Sequence, residues 1–206
     1  YSLPEINGDK VKKFNIIGCP GCYPTSILLP LIPLIKKNLI KTDNIIIDSK
    51  SGYSGAGRGV HKKYKDKNLN ETLSAYGVGF HKHNSEIQQE LDNYAKKKIS
   101  FTFTPHLTPM FRGIFSTIYV DLNKNVNIKN LEKTLNTQYS KNRFVKILRS
   151  NSLLSTNDVI NTNNCSIVIC NTKYKNRVII LSAIDNLIKG GAGQAIQNMN
   201  LKFNFP

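Results

Sequence analysis

Residues 18–26 read Gly-Cys-Pro-Gly-Cys-Tyr-Pro-Thr-Ser, so Cys19 and Cys22 stand three positions apart around a Pro-Gly turn, just ahead of a long apolar run. That spacing admits a metal knuckle, a redox dithiol or one activated thiol beside a structural neighbour. A zinc ribbon needs a second, matched C-x-x-C. The other cysteines, Cys165 and Cys170, are separated by four residues of apolar strand pattern, and strand alternation turns them to opposite faces. No metal site is expected. Position 22 opens a helical run, where the helix dipole and unpaired N–H groups lower a thiol's pKa. Those N–H groups, with that of Gly21, could also hold a developing oxyanion. Cys19 has no such advantage, yet spacing alone leaves nucleophile, structural thiol and thioredoxin-type dithiol all open.

Three further segments carry candidate chemistry. His81-Lys-His83 points two imidazoles the same way if extended, and one could be the general acid/base that a nucleophilic Cys22 requires; a capping or surface histidine is the plain alternative. The run Ser51-Gly-Tyr-Ser-Gly-Ala-Gly-Arg-Gly59 lets backbone approach a phosphate, with Arg58 adding a charge-assisted contact. Lys189-Gly-Gly-Ala-Gly193 could be an anion-binding helix start or a flexible hinge. Neither is a P-loop or a G-x-G-x-x-G dinucleotide fingerprint.

The elements that must position these residues can be read from periodicity. A short strand is expected from Ile16 into the Gly21 turn, then a helix from Cys22 to about Asn38 with Pro24 in its first turn. Ile45–Asp48 reads as a buried strand, and a lysine-rich stretch to about Ala75 as a surface excursion. Ser85–Lys97 reads as a helix begun by a Ser85/Gln88 capping box. Strands follow at Ile99–Thr104, Gly113–Leu122, Phe144–Leu148, Ser166–Cys170 and Val178–Ala183. Helices are expected around Ile128–Leu135 and Gly190–Leu201. The class is α/β with a substantial sheet.

Composition bounds the partners. The 206 residues, 40% hydrophobic and 20% charged, suit a soluble globular chain with a real core, and no apolar stretch reaches membrane-spanning length. The net charge of +16 comes from 24 Lys and only 5 Arg, beside 25 Asn and 24 Ile, the signature of AT-rich codons. The lysines are scattered, so a basic nucleic-acid-binding module is the minor reading. Four cysteines without a secretory leader point to a reducing cytoplasm.

Taken together, the segments resemble N-acetyl-gamma-glutamyl-phosphate reductase. The resemblance rests on Pro20-Gly-Cys-Tyr-Pro-Thr25, Lys50-Ser-Gly-Tyr-Ser-Gly-Ala-Gly-Arg58, His81-Lys-His83 with Glu86-Ile87, Phe103-Thr-Pro-His-Leu107, Arg112-Gly-Ile-Phe-Ser-Thr-Ile118, Ser182-Ala-Ile-Asp-Asn-Leu-Ile-Lys189 and Gly193-Gln-Ala-Ile-Gln-Asn-Met-Asn-Leu201. It implies an α+β catalytic domain with a mixed sheet, of the glyceraldehyde-3-phosphate/aspartate-semialdehyde dehydrogenase C-terminal type. It also implies NADP(H)-dependent reduction of a small-molecule acyl phosphate to the semialdehyde in arginine biosynthesis. Cys22 becomes the nucleophile and Cys19 a bystander; His83 becomes the acid/base, with His81 as fallback. Arg58 and Arg112 become substrate clamps, and Ser54, Gly55 and Asn186 contacts to the nicotinamide end.

Ser26 stands where that family has Gly or Ala. The family's glycine-rich NADP fingerprint is absent, so residues 1–17 are expected to be the tail of a Rossmann domain of about a hundred residues. Residues 18–185 are then the catalytic and dimerisation domain, and 186–206 a C-terminal helix returning to the Rossmann half. A homo-oligomer, dimer or tetramer, is expected of the full-length protein, and no reduction by this stretch alone. The rival enzymes are the aminoadipyl-phosphate reductase of lysine biosynthesis and, more distantly, a cysteine hydrolase.

Overall fold

The computed structural model describes residues 1–56 and 71–205. Its centre is a seven-stranded mixed sheet: β1 (Ile45–Gly52), β2 (Ser74–Ala75), β3 (Phe101–Thr108), β4 (Ile114–Asp121), β5 (Val145–Ile147), β6 (Cys165–Asn171) and β7 (Arg177–Ile184). The spatial order is β2-β3-β1-β4-β7-β6-β5, with β1/β3 and β5/β6 parallel and the other pairs antiparallel. Strict alternation along β1 and β4 buries Ile45, Ile47, Ile114, Ile118 and Val120 on one face and leaves Ile46, Thr117 and Tyr119 half-exposed on the other.

The buried face is covered by α2 (Cys22–Lys36), flanked by α3 (His83–Ala95) and α4 (Ile128–Tyr139). A helix apolar all round belongs inside, and α2 is buried continuously from Tyr23 to Ile35. Pro30 and Pro33 lie within it. A proline removes one ladder hydrogen bond and frees the carbonyl four residues back. For Pro33 that carbonyl is Leu29 C=O, and the Tyr139 hydroxyl donates to it at 2.6 Å. α4 therefore supplies the bond that α2 lacks.

At its N-terminal end α2 lies close to the sheet because the sheet offers small side chains there. Ser49, Ser116 and Ser182 stand in register across β1, β4 and β7, all fully buried. Ser116 Oγ meets Ser49 Oγ at 2.7 Å and Ser26 Oγ at 2.8 Å, while the Ser26 hydroxyl also reaches Tyr23 C=O at 2.9 Å. Ser26, the departure from the family pattern, is thus a fully satisfied polar group at the helix–sheet seam.

The two ends of the chain meet beside this seam. The N-terminal α1 (Pro4–Asn7) and its 3₁₀ continuation Gly8–Lys13 pack on α5 (Gly193–Phe203). The Ser2 hydroxyl donates to Asn198 Oδ1 at 2.6 Å, and the fully buried Lys189 ammonium pairs with Glu5 and donates to Gln197 Oε1 at 2.9 Å. The helices at the two ends thus pack on each other as one layer. Ile196, Met199, Phe203 and Phe205 remain exposed on it.

Two sequence expectations are corrected and a third holds. Ile16–Gly21 forms no strand; it is an extended turn anchored by Ser2 N–H to Gly18 C=O at 2.9 Å. The Ser85/Gln88 capping box does not form, because the helix begins two residues earlier, at His83. Ser85 Oγ instead donates to Lys82 C=O, and the Gln88 amide donates to Asp92 and to Ile99 C=O. Cys165 and Cys170 do face opposite ways, one into the main core and the other toward the small cluster of Leu154, Val159, Val168 and Ala183.

Candidate active site

Cys22 is the first residue of α2 and is half-buried. Three segments converge on it. The turn before it supplies Gly21, α3 supplies His83 and Glu86, and the segment Ile188–Ala192, kinked at Gly191, supplies Gly190. A Cβ placed on Gly21 would lie 2.4 Å from His83 Nε2, so the imidazole rests on the backbone immediately before the nucleophile candidate. A Cβ on Gly190 would lie 2.6 Å from Cys22 Cβ. Both glycines are therefore required by contact, not by torsion.

Electrostatics correct one expectation. Burial pushes the Cys22 thiol up to about 11, although the N–H groups of Tyr23 and Cys22 and the Lys82 ammonium pull the other way. The helix start helps the thiolate as anticipated, but desolvation outweighs it. The Gly21 N–H is also unavailable for an oxyanion, because it donates to Glu86 Oε1 at 2.8 Å. Burial, with His81 and Lys82 nearby, lowers His83 to about 4. Near neutral pH the ligand-free site therefore holds a thiol and a neutral imidazole.

The two histidines divide their roles. His81 Nδ1 accepts the His83 N–H at 3.2 Å, so His81 caps the start of α3. Its ring packs edge-on against Tyr23, Tyr76 and Phe103. His83 Nδ1 is buried without a hydrogen-bond partner.

Beyond the thiol, Ser54, Gly55 and Asn186 come together as one patch. Asn186 Nδ2 donates to Ser54 Oγ at 3.0 Å, and Gly113 N–H donates to Asn186 Oδ1 at 2.7 Å. A Cβ on Gly55 would meet Ser51 Oγ at 2.9 Å and Asn186 Nδ2 at 3.4 Å. Arg112 Nε lies 3.4 Å from the fully buried Asp185 carboxylate, and its guanidinium also reaches Asn161. Arg58 lies outside the described residues. Lys189-Gly-Gly-Ala-Gly193 is not an open anion site: Lys189 is paired with Glu5 and Gly190 packs on Cys22. Among the described residues no cluster of three or more His, Cys, Asp or Glu side chains could hold a metal. None of their helices is long and apolar enough to cross a membrane.

Sequence reasoning missed Gly190, Glu86 and Gln194. Glu86 was visible only as a neighbour of His83. Gln194 donates to Thr25 Oγ1 at 2.9 Å, and that hydroxyl donates to Gly21 C=O at 2.9 Å. This contact spans most of the chain and leaves no local signal.

The mixed sheet with its single buried helix and a cysteine at that helix's first turn defines a class. Residues 22–186 match the model of the semialdehyde dehydrogenase dimerisation domain, and the chain belongs to that family. In agreement with the motif resemblance, it is 46% identical over 206 residues, its whole length, to the probable chloroplastic N-acetyl-gamma-glutamyl-phosphate reductase of Arabidopsis thaliana, covering 51% of that protein. It is 47% identical over 205 residues to N-acetyl-gamma-glutamyl-phosphate reductase of Clostridium beijerinckii, covering all of this chain and 60% of that one. The chain thus spans about half to three-fifths of the length of these curated relatives. Aspartate semialdehyde dehydrogenase II from Vibrio cholerae superposes with a TM-score of 0.76 at 17% identity, over 98% of this chain and 68% of that one, which establishes the fold.

Proposed function

We propose that this chain is the catalytic and dimerisation part of an NADPH-dependent reductase converting N-acetyl-glutamyl phosphate to the semialdehyde, a step of arginine biosynthesis. The observation that carries it is a half-buried thiol at a helix start with a neutral imidazole resting on the preceding residue. His83 Nε2 takes the Cys22 proton as substrate arrives. The thiolate attacks the acyl carbon, the C–O bond to phosphate breaks, and a Cys22 thioester forms with release of inorganic phosphate. Splitting one hard displacement into two steps is the gain of covalent catalysis. When bound, NADPH would supply a hydride for the acyl carbon. The proton held at His83 then returns to the sulfur as the carbon–sulfur bond breaks and the aldehyde leaves.

The Asn186–Ser54 patch fits the carboxamide end of such a cofactor. Asn186 spends its amide on Ser54 and Gly113, which leaves the Ser54 hydroxyl hydrogen free to donate outward, and Gly55 keeps the approach open. The pyrophosphate would be held by a Rossmann domain preceding residue 18 in the longer protein, with residues 1–17 as its tail. Residues 186–206 would then dock on it through Ile196, Met199, Phe203 and Phe205. Arg112, oriented by Asp185, would clamp substrate carboxylate or phosphate. The half-exposed sheet face around Ile46, Tyr119 and Ile179 suits pairing with a second copy, as the family's description implies. We assign the protein to the cytoplasm.

The test is NADPH oxidation by the longer protein with acetylglutamyl phosphate, with aminoadipyl phosphate as competitor. His83→Asn should lower turnover by about a hundredfold or more, the scale of lost acid/base catalysis. His81→Asn should cost less. Equal rates on the two substrates, or a greater loss at His81, would contradict the assignment.

A further inference from the structure

Gly21 has to be glycine because His83 occupies the space of its Cβ. A glycine just before a nucleophile leaves the aim of that nucleophile loose, since glycine has the most backbone freedom to lose. The structure holds both of its flanking peptide planes. On the N-terminal side, Gly21 N–H donates to Glu86 Oε1 at 2.8 Å, and the same oxygen accepts the Tyr1 hydroxyl at 2.7 Å. On the C-terminal side, Gly21 C=O accepts the Thr25 N–H at 3.0 Å and the Thr25 hydroxyl at 2.9 Å, the latter held by buried Gln194. Gly21 sits at φ −67 and ψ 167, so fixing both planes fixes the direction in which Cys22 leaves the turn.

We propose that Glu86, steadied by the Tyr1 hydroxyl, is the positioning residue for Cys22: its carboxylate fixes the Pro20–Gly21 peptide and sets a negative charge beside the thiol–imidazole pair. The idea rests on the reading of Cys22 as nucleophile only for its effect on turnover. A charged acceptor suits the task, because a carboxylate binds an N–H about twice as strongly as a neutral oxygen does. The groups acting on the thiol are Lys82, just before α3, Glu86 from α3 and the Tyr23 backbone from α2, while His83 packs on Gly21 and the Tyr23 ring. Tyr1 from the N-terminal segment faces Glu86, Glu90 and Tyr94. Burial does most to keep Cys22 protonated; Lys82 favours the thiolate, and the Glu86 charge adds to the burial effect.

The test needs no substrate. In the intact protein, Cys22 is alkylated with iodoacetamide across pH and located by peptide mapping, while amide exchange is followed over residues 18–26. Glu86→Gln keeps an acceptor oxygen but removes the charge. It should move the labelling profile to lower pH, making Cys22 about three- to tenfold faster below its midpoint, with exchange of the turn unchanged. Glu86→Ala should speed that exchange while circular dichroism stays native. A Gln variant whose profile overlays the parent's, or an Ala variant with an unchanged turn, would overturn the proposal; if the Ala variant fails to fold, the Gln variant decides. A protein that showed the predicted shifts but no acyl-phosphate reduction would sink the functional reading and leave this one intact.

Discussion

Adding one methyl group at Gly190 should disable the site without touching any reacting atom. The new Cβ would stand 2.6 Å from Cys22 Cβ, 3.0 Å from Cys22 Cα and 3.2 Å from Ile184 Cδ1. Carbon atoms at rest are about 3.5–4.0 Å apart, so roughly 1 Å must be found. Neither neighbour can swing aside: one is backbone of a buried helix, the other a fully buried isoleucine. Overpacking of this kind costs about 1–3 kcal/mol, which for a chain of this size lowers Tm by about 3–10 °C. A displacement of about 1 Å at the nucleophile costs on the order of a hundredfold in turnover. Thermal unfolding of Gly190→Ala, alkylation of Cys22 and turnover in the longer protein read the three effects. Gly18→Ala is the control, because its Cβ would meet nothing nearer than Tyr1 Cα at 4.0 Å. A Gly190→Ala protein matching the control in all three measurements would refute the packing argument.

Further expectations follow from the same contacts. In ligand-free protein near neutral pH, iodoacetamide should label exposed Cys19 before Cys22, whose labelling should climb only as pH nears its value of about 11; quantitative peptide mapping checks this, and prior labelling of Cys22 would contradict the burial argument. His83 at about 4 lies below its ordinary 6.5, so the native state refuses a proton that the unfolded chain accepts. The resulting loss of stability is absent well above pH 6.5, grows as pH falls and is complete below about 4, and His83→Asn should remove it from a Tm–pH curve. Ser116→Ala strands the buried Ser49 hydroxyl and weakens the seam under α2, which should cost about 1–3 kcal/mol in urea unfolding. Lys189→Met leaves the buried Glu5 carboxylate without its cation and should cost about 3–5 kcal/mol, detaching α1 from α5 first in amide exchange.

The helices and strands of the core were legible because their signals are local. The uninterrupted apolar run of α2 and the alternation of β4 each announce their own burial. The false strand at Ile16–Ile17 shows where that logic fails: two apolar residues suggested pairing, but the segment is tied by Ser2 and Gly18 to the distant C-terminal helix. The helix start was misplaced because His81 accepts the His83 N–H and so begins the helix two residues before Ser85. At the site, residue types were legible and their balance was not. A thiol at a helix start reads as activated until the enclosing segments are known, and those come from positions 83–86 and 190. Contacts that distant in sequence decide the sign of the shift at Cys22.

The most direct test of the central claim is acyl transfer to Cys22 without reduction. The longer protein is mixed with acetylglutamyl phosphate in the absence of NADPH, quenched in acid, weighed intact and mapped by peptide mass spectrometry. The account predicts one acetylglutamyl adduct per chain on the peptide containing Cys22, released by hydroxylamine, with one equivalent of phosphate set free, and no adduct in Cys22→Ser. An active protein that carries the acyl group on Cys19 or another residue, or that reduces substrate with no adduct and no phosphate burst, would contradict it.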